Sequence, residues 1–477
     1  MKNLKLAIAS FLFSFVILGC KKEFDLEPEG VKLEKDVLTS SKDIQPFLNG
    51  TYDVFANTFN GKAQIFSELL SDNIELNQNN DDLKEVYNRG TIFFNGTLNG
   101  FYTDLYRIVN RANILLEKTA SFGADLTPEE RNRIIGEAKF LRAYAHWETC
   151  RLYAQPYGFT ADNSHLGVVL RFVSDAEPKQ RSTVAQVYTA VIQDLTEAES
   201  LLPTSNGSQA VYADVYAAKA LLAKVYFQMN KYSEAFNKAN EVVSSNLFAM
   251  EDSLNRFSPI GKEFRFSAKE TIFGIRSASI NDMRGGYFRG QFKSDGNDPP
   301  MRIHKQNNGV TKGLIELITD EEDDLRIRNF RVKNSGASNE YYAASKFDGD
   351  VFSLPLIHMT ELHLILAESA ARKEAPDLSA AIQNINLIIK RAYKNPNANM
   401  LLPGDGAEVV LNRIERERRI ELACEGDRTH TLKRYATLGQ TALRIRNAPW
   451  NCPGMALQFP ISEKTTNFTF NVSGGCN

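Results

Sequence analysis

The chain has 477 residues, of which 43% are hydrophobic and 24% are charged, proportions that are ordinary for a folded protein and exclude extended disorder. Its formal net charge of -2 and its pI near 6.4 exclude the basic surface that holds a nucleic-acid backbone, so we expect no nucleic-acid partner. After residue 18 no apolar stretch reaches the roughly 20 residues that a membrane span requires, so any contact with a membrane should be through lipid alone.

The N-terminus has the pattern of a secretory signal. Lys2 and Lys5 precede an apolar run over residues 6–18, and the run ends in the sequence ILGC at Cys20. This ending resembles a bacterial lipobox, so we expect residues 1–19 to be removed and Cys20 to carry the lipid. Several acyl chains on one residue would anchor the protein firmly, because each buried methylene contributes about 0.8 kcal/mol. The alternative is an ordinary cleaved signal followed by a coincidental cysteine.

A charged tether and a helical body are expected next. Residues 20–40 are rich in Lys, Glu and Asp and are interpreted as a spacer between the lipid and a single domain over residues 41–477. Apolar residues recur at intervals of three and four over residues 101–116 and 134–152, which predicts two amphipathic helices.

Helix pairs follow. Thr183 and Gln186 form a capping box that opens a helix. Residues 214–229 and 232–245 then have the spacing of a tetratricopeptide-like pair, in which small residues let two helices approach closely, and residues 364–387 hold a weaker copy. Any antiparallel helix hairpin gives this pattern, so that alternative stays open for each pair.

An irregular, loop-rich insertion is expected over residues 247–355, where the helical period fades and Gly, Asn, Asp and aromatic residues increase. Residues 271–275 are predicted to form a strand, and residues 284–290 and 294–300 to form turns and loops. Such insertions commonly carry binding surfaces. A last helix is predicted to begin near Asp405 with Glu408 in a capping box and to end before Gly426.

Motifs for catalysis are absent from the sequence: it has no GxSxG, HExxH, Walker or GxGxxG pattern. His358 and His363, the closest histidine pair, are interpreted as packing or surface residues rather than metal ligands. The acidic run 320–324 is interpreted as solvated charge rather than a calcium site, because EF-hand spacing is absent. We therefore expect no catalytic residue, cofactor or metal. Abundant carboxylates leave a glycan-degrading enzyme as an alternative.

Two further patterns concern the structure of the body. With Cys20 lipidated, the four cysteines Cys150, Cys424, Cys452 and Cys476 allow three disulfide pairings. The pair in the loop-rich C-terminal stretch, Cys452 with Cys476, is the first to test. In the last predicted helix, glutamates alternate with arginines over residues 416–425, which we interpret as structural ion pairs rather than an anion site.

Aromatic residues in the irregular segments give the functional signal. Flat rings suit the apolar face of a sugar, and neighbouring Asn, Asp and Arg suit its hydroxyls. For any single ring the alternative is core packed under a long loop, and a peptide would use the same kind of surface. The residues predicted to contact the ligand are Tyr87, Phe93, Phe94, Arg284, Tyr287, Phe288, Phe292, Asn297 and Asp298.

Several segments together resemble the SusD/RagB family of outer-membrane nutrient-uptake lipoproteins. In chain order they are CKKEFDLEP at residues 20–28, FYTDLYRIVNRANILL at 101–116, GEAKFLRAYA at 136–145, ELHLILAESA at 361–370, IERERRIELACEGDR at 414–428 and FPISE at 459–463. The sequence departs from the family pattern at residues 429–431, where an aromatic residue and an aspartate are common, and at His358, where an arginine is common. These departures concern local packing.

The resemblance implies a body with four tetratricopeptide-like helix pairs and loops that form a glycan or peptide site. It also implies a lipoprotein facing outward on the outer membrane, which covers a SusC-like, TonB-dependent barrel transporter as a hinged lid. Ligand residues vary within the family, so none is transferred. We therefore expect a lipid-anchored protein that binds an oligosaccharide and delivers it to the transporter. The alternatives are a peptide-binding member, a glycan-degrading enzyme and a scaffold without a small ligand.

Overall fold

The computed structural model describes residues 37–205, 210–251, 269–277, 282, 284, 286–294, 298–303, 312–348, 353–465 and 467–476. The protein is 55% helical and 8% strand, so the prediction of a mainly α fold is confirmed. The signal, Cys20 and Asn297 lie outside the described residues. No helix within the described ranges combines the length and the hydrophobicity of a membrane span.

The secondary structure consists of many helices and a few short strands. The helices of the described residues are α1 Ile44–Thr58, α2 Lys62–Leu70, α3 Asp81–Tyr87, α4 Gly96–Phe122, α5 Pro128–Tyr153, α6 Val184–Leu201, α7 Val215–Gln228, α8 Tyr232–Val243, α9 Gly286–Phe292, α10 Leu314–Thr319, α11 Met359–Arg372, α12 Leu378–Ala392, α13 Pro396–Asn399, α14 Ala407–Glu421 and α15 Arg428–Thr437. The strands are β1 Glu75–Leu76, β2 Thr271–Ile275, β3 Met301–Arg302, β4 Phe330–Lys333, β5 Tyr341–Ala344, β6 Leu354–His358, β7 Arg444–Ile445 and β8 Ala448–Pro449. They pair antiparallel as β1–β3, β2–β6, β4–β5 and β7–β8.

The long helices pack into one continuous stack. In chain order α1 contacts α4, and then α5, α6, α7, α8, α11, α12 and α14 each contact the helix before them in this series. The pairs α1/α4, α5/α6, α7/α8 and α11/α12 fit the four helix pairs that the resemblance implies. Gly136 shows how close the approach is, because a Cβ there would lie 2.9 Å from the side chain of Leu202 at the end of α6.

Local signals fix where these helices begin. The Thr183–Gln186 capping box is present at the start of α6, and Thr127 with Glu130 forms another at α5. Small side chains in the paired helices are buried, and Ala223 of α7 and Ala235 of α8 have no exposed surface. The predicted close pairing of α7 and α8 is therefore confirmed.

Three predictions about elements need correction. Residues 286–292 form the helix α9 rather than a turn, because Phe288 and Phe292, four residues apart, bury one helix face. The helix near Asp405 begins at Ala407 after Gly406 and has no side-chain cap, since Asp405 instead accepts a hydrogen bond from the Leu402 amide at 2.8 Å. It is not the last helix, because α15 follows.

Charged side chains are built into the core of the stack. Arg326 contacts Asp324 at 2.7 Å and Glu417 at 2.6 Å, and all three are buried. The interpretation of the α14 glutamates and arginines as structural ion pairs is thus confirmed. The interpretation of residues 320–324 as solvated charge is wrong for Asp324, because its carboxylate pairs with the buried Arg326.

The C-terminal segment is closed by a disulfide. Cys452 and Cys476 form the bond, with Cα atoms 5.2 Å apart, which confirms the pair chosen first from the sequence. Cys150 and Cys424 are free and buried. Gly454 donates its amide to Gly474 at 2.8 Å, so the last residues fold back on the start of the closed loop.

Candidate functional site

The loop between α3 and α4 holds two exposed aromatic rings, Phe93 and Phe94, which we call the aromatic pair. The loop itself is well fixed. Asn95 caps α4 by accepting from the Leu98 amide at 2.9 Å, while its Nδ2 donates to Glu85 at 2.8 Å. The Phe93 carbonyl accepts from the side chain of Asn99 and from the Ile461 amide, both at 3.1 Å.

The rings of the aromatic pair are exposed although their backbone is anchored. Phe93 is 38% exposed and Phe94 is 65% exposed, and their ring centroids lie 4.9 Å apart in an edge-to-face arrangement. Phe470 from the disulfide-closed segment lies behind Phe93, with ring centroids 5.9 Å apart. Two adjacent phenylalanines held in solvent form the kind of apolar surface that a sugar face or another ligand can cover.

Two tyrosines that were predicted to contact the ligand, Tyr87 and Tyr287, are less accessible than the aromatic pair. The guanidinium of Arg446 lies 4.0 Å from the Tyr87 ring centroid and donates to the Tyr87 carbonyl at 2.6 Å, so this tyrosine is half-buried at the end of α3. Tyr287 of α9 is also half-buried. Burial, followed by the negative charge of Asp82, raises the pKa of Tyr287.

Phe288 and Phe292 belong to the core instead. Both are fully buried, and their rings lie 5.1 Å from each other and 4.8 and 5.5 Å from that of Phe347. Gly61, with φ +104, lies directly against Phe288, so any added side chain there would clash. These two rings cannot reach a ligand in this structure, and the alternative of core packed under a long loop holds for them.

Asp298 contributes to the structure of the insertion. Its carboxylate accepts from the Tyr341 hydroxyl and from Arg302, whose Nη2 lies 3.1 Å away. Arg302 belongs to β3 and Tyr341 belongs to β5. Asp298 therefore ties two strands of the insertion together, and its side chain remains substantially exposed.

Arg284 lies in a separate groove, between α1, the segment before α7 and strand β2. The cavity volume is about 490 Å³, which falls within the roughly 300–1,000 Å³ of small-molecule sites. The lining residues are Asn49, Tyr52, Asp53, Phe55, Ala56, Val211, Tyr212, Gly274, Ile275, Arg276 and Arg284. Of the residues predicted to contact the ligand, the structure thus brings Phe93 and Phe94 together in one loop and places Arg284 in this groove.

Tyr212 is the groove residue that sequence reasoning missed. It is 37% exposed, and its ring meets that of Tyr52 edge to face at 4.9 Å. The sequence contains a pattern that predicts this residue as a ligand contact, because Tyr212 follows the polar run TSNGSQ at residues 204–209. The insertion has the same mixture of aromatic and loop residues. The α1 residues of the groove could not be found in this way, because they lie on a regular helix.

A second cavity, of about 60 Å³, lies inside the stack and has a charged lining. Its charges face each other: Lys224 contacts Glu361 and Arg151 contacts Glu148, each at 2.5 Å, and His358 contacts Glu425 at 3.2 Å. His358 accepts from the Glu361 amide at 3.3 Å and so caps α11. This cavity is too small for a sugar.

The residues that depart from the family pattern are packed in the same part of the molecule. Thr429 donates to the Ser67 carbonyl at 2.6 Å, and burial lowers the pKa of His430. Among the described residues, no group of three or more His, Cys, Asp or Glu side chains could hold a metal ion. The charged side chains around the small cavity are thus paired with one another, whereas the aromatic pair and the groove at Arg284 present exposed rings and hydrogen-bonding groups.

Family models match most of the chain. A SusD-like model, described as starch-binding and associating with the outer membrane, matches residues 24–227, and a SusD family model matches residues 280–468. A search of curated proteins finds no match.

Solved structures have the same fold. A SusD superfamily protein from Bacteroides thetaiotaomicron is 22% identical, with 91% of this chain and 100% of that chain covered and a TM-score of 0.75. A SusD-like carbohydrate binding protein from Bacteroides vulgatus is 20% identical, with 83% of each chain covered and a TM-score of 0.68. A laminarin binding SusD-like protein is 18% identical, with 91% and 99% covered and a TM-score of 0.66. At these identities the likeness shows the fold alone.

Proposed function

Because the chain belongs to the SusD/RagB family, whose members associate with the outer membrane, we propose that it captures an oligosaccharide there and delivers it to a TonB-dependent, SusC-like transporter. In this proposal residues 1–19 are a signal peptide, Cys20 carries the lipid, residues 20–40 are the tether, and residues 41–477 form one domain. The protein acts as the lid of the transporter, faces the outside of the cell and transforms nothing.

The aromatic pair is the observation that carries the sugar assignment. Phe94 contributes little to the fold at 65% exposure, yet its loop is fixed by hydrogen bonds from three segments of the chain. A fixed ring in solvent is prepared to cover the apolar face of a sugar, and little ordering entropy remains to be lost on binding. Glu85 lies beside the pair, since it accepts from the Ile92 amide, and its carboxylate can accept from hydroxyls.

Isothermal titration of the mature protein against a panel of neutral oligosaccharides and a panel of peptides tests the proposal. We expect heat with at least one oligosaccharide, and at least a tenfold loss of affinity in a Phe93→Ala/Phe94→Ala variant. Phe172→Ala is the matched control, because Phe172 is 49% exposed on the segment that Asn113 of α4 holds at the Val173 carbonyl, 3.1 Å away.

The outcomes separate the alternatives. Heat with peptides alone would move the protein to the peptide-binding members of the family. Release of product from a polysaccharide, abolished by a single Asp or Glu substitution, would establish a glycan-degrading enzyme instead. Co-purification of a barrel protein with the full-length chain tests the partner, and loss of membrane attachment in a Cys20→Ser variant tests the anchor.

A further inference from the structure

We propose that the groove around Tyr212 is a second saccharide site, separate from the aromatic pair, in which Arg284 and Asp53 together bind a vicinal diol of a neutral sugar. The inference rests on the proposed function only in that the ligands are saccharides. None of the residues that line the groove belongs to the aromatic pair or to its loop.

One face of α1 forms the first wall of the groove. Asn49, Tyr52, Asp53 and Ala56 stand at positions i, i+3, i+4 and i+7, so they lie on one face of the helix. These residues differ in their exposure to solvent. Tyr52 and Ala56 are buried, whereas the Asp53 side chain is 62% exposed. The apolar part of the groove is therefore deep, and its hydrogen-bonding groups lie at the mouth.

Tyr212 forms the second wall of the groove, and hydrogen bonds fix the chain before and after it. The Ala210 carbonyl accepts from the Gly274 amide of β2 at 2.9 Å, and the Ala213 amide donates to the Tyr52 hydroxyl at 3.0 Å. The ring is thus positioned before any ligand arrives. A partly exposed aromatic ring above an apolar floor suits the C–H face of a sugar.

The geometry of Arg284 provides the diol contact. Its Nε and Nη2 each lie 2.8 Å from a different carboxylate oxygen of Asp282, which fixes the plane of the guanidinium. Its Nη1 lies 3.8 Å from Asp53 Oδ1, too far for a hydrogen bond. A donor thus faces an acceptor across a short gap. One hydroxyl of a vicinal diol can accept from Arg284 while its neighbour donates to Asp53.

The charge of the groove favours a neutral ligand. Arg276 and Arg284 lie in the lining, Asp53 lies opposite, and Asp282 pairs with Arg284, so two positive and two negative formal charges cancel. An acidic sugar would meet Asp53 at the mouth without a net positive charge to offset the repulsion. Asn49 adds an uncharged amide whose Oδ1 accepts from Gln45 at 2.9 Å, which leaves its Nδ2 as a donor.

Saturation-transfer NMR with laminaritriose, maltotriose, cellotriose and the acidic trigalacturonate tests this inference on the mature protein. We expect transfer to at least one neutral trisaccharide, both in the wild type and in Phe93→Ala/Phe94→Ala. When Tyr212→Ala or Asp53→Asn is added to Phe93→Ala/Phe94→Ala, so that only the groove can bind, we expect a signal at least fivefold weaker than in Phe93→Ala/Phe94→Ala. Asp81→Asn is the matched control, because Asp81 is an exposed carboxylate on α3 with a side chain 93% accessible.

Several results would overturn the second site. One is a saturation-transfer signal that is lost in Phe93→Ala/Phe94→Ala and remains in Tyr212→Ala. A preference for trigalacturonate would reject the neutral-diol assignment. The absence of transfer to every trisaccharide would reject the groove as a saccharide site, while the proposed function would still be judged separately by titration with longer oligosaccharides at the aromatic pair. Asp53→Asn keeps the shape of the side chain at an exposed position, so a folded variant is expected.

Discussion

The interior of the helical stack differs from its exposed surface, called the face below, which holds the aromatic pair and the groove at Arg284. Both contain arginines, carboxylates and aromatic rings, but in the interior these side chains contact one another, whereas at the face they are exposed. Inside, Arg434 binds both oxygens of Glu368 at 2.8 Å, and both side chains are 1% exposed. At the face, Arg284 stands 3.8 Å from Asp53 at the mouth of a groove, and Phe94 lies in solvent. Paired groups in the interior define the fold, so the groups available to a ligand are those at the face.

Breaking a buried pair should have the largest effect. Arg434→Met removes the partner that binds both oxygens of Glu368 and leaves this buried carboxylate with Arg372, 2.9 Å away, so we expect the free energy of unfolding to fall by about 4 kcal/mol. Urea unfolding measures the loss. The double variant Arg434→Met/Glu368→Leu should recover most of it, because no carboxylate is left in the core and Arg372, which also pairs with Glu368, has a side chain that already reaches solvent at 25% exposure. A loss under about 1 kcal/mol in the single variant would mean that the interior pairs behave like surface pairs.

The disulfide closes the segment that packs against the aromatic pair, and its removal should have the next largest effect. Cys452→Ala/Cys476→Ala opens a loop with a sequence separation of 24 residues, and chain-entropy arguments give a loss of about 3 kcal/mol. Thermal unfolding of the variant should match that of the wild type in reductant. Because the closed segment carries Phe470 behind Phe93, the variant should also bind oligosaccharide more weakly. Unchanged affinity would show that the aromatic pair does not depend on this segment.

The buried carboxyl of Glu68 should make the stability of the protein depend on pH. Burial raises the pKa of its carboxyl from 4.5 to about 7, although the Gly426 amide donates to it at 2.8 Å. The folded state therefore holds the proton more tightly than the unfolded state, and the contribution to stability falls as pH rises from about 4.5 to about 7. Glu68→Gln should raise stability by about 3 kcal/mol at pH 8 and leave it unchanged near pH 4. Urea unfolding at both pH values tests this, and equal curves at pH 8 would contradict it.

The helical body could be predicted largely from the sequence. The α4, α5 and α6 helices have long apolar periods, and Thr183 with Gln186 marks the start of α6, because these signals are local. The helix α9 could not be predicted in the same way. Its segment contains three glycines within residues 285–290, which favour turns, and only burial of Phe288 and Phe292 against Phe347 outweighs that preference.

The two candidate sites also differ in how far they could be predicted from the sequence. The aromatic pair could be predicted because both rings lie side by side in a polar loop. The groove joins residues that are more than 200 positions apart in the chain, such as Asp53 and Arg284, and no local pattern reports such a meeting. The burial of Asp324 was hidden for the same reason, since its partner Arg326 is held in the core by Glu417, which lies far along the chain.

The smallest change in stability is expected at the face. Phe94→Ala removes a ring that is already 65% exposed, so the free energy of unfolding should change by no more than about 0.5 kcal/mol. Titration with the oligosaccharide that the wild type binds should nevertheless show a clear loss of affinity, because stacking on an aromatic ring is lost. Phe101→Ala is the opposite control. That ring is fully buried, and its removal should cost about 3–5 kcal/mol. If Phe94→Ala destabilised the protein comparably, the aromatic pair would belong to the core, and the division between a structural interior and a binding face would fail.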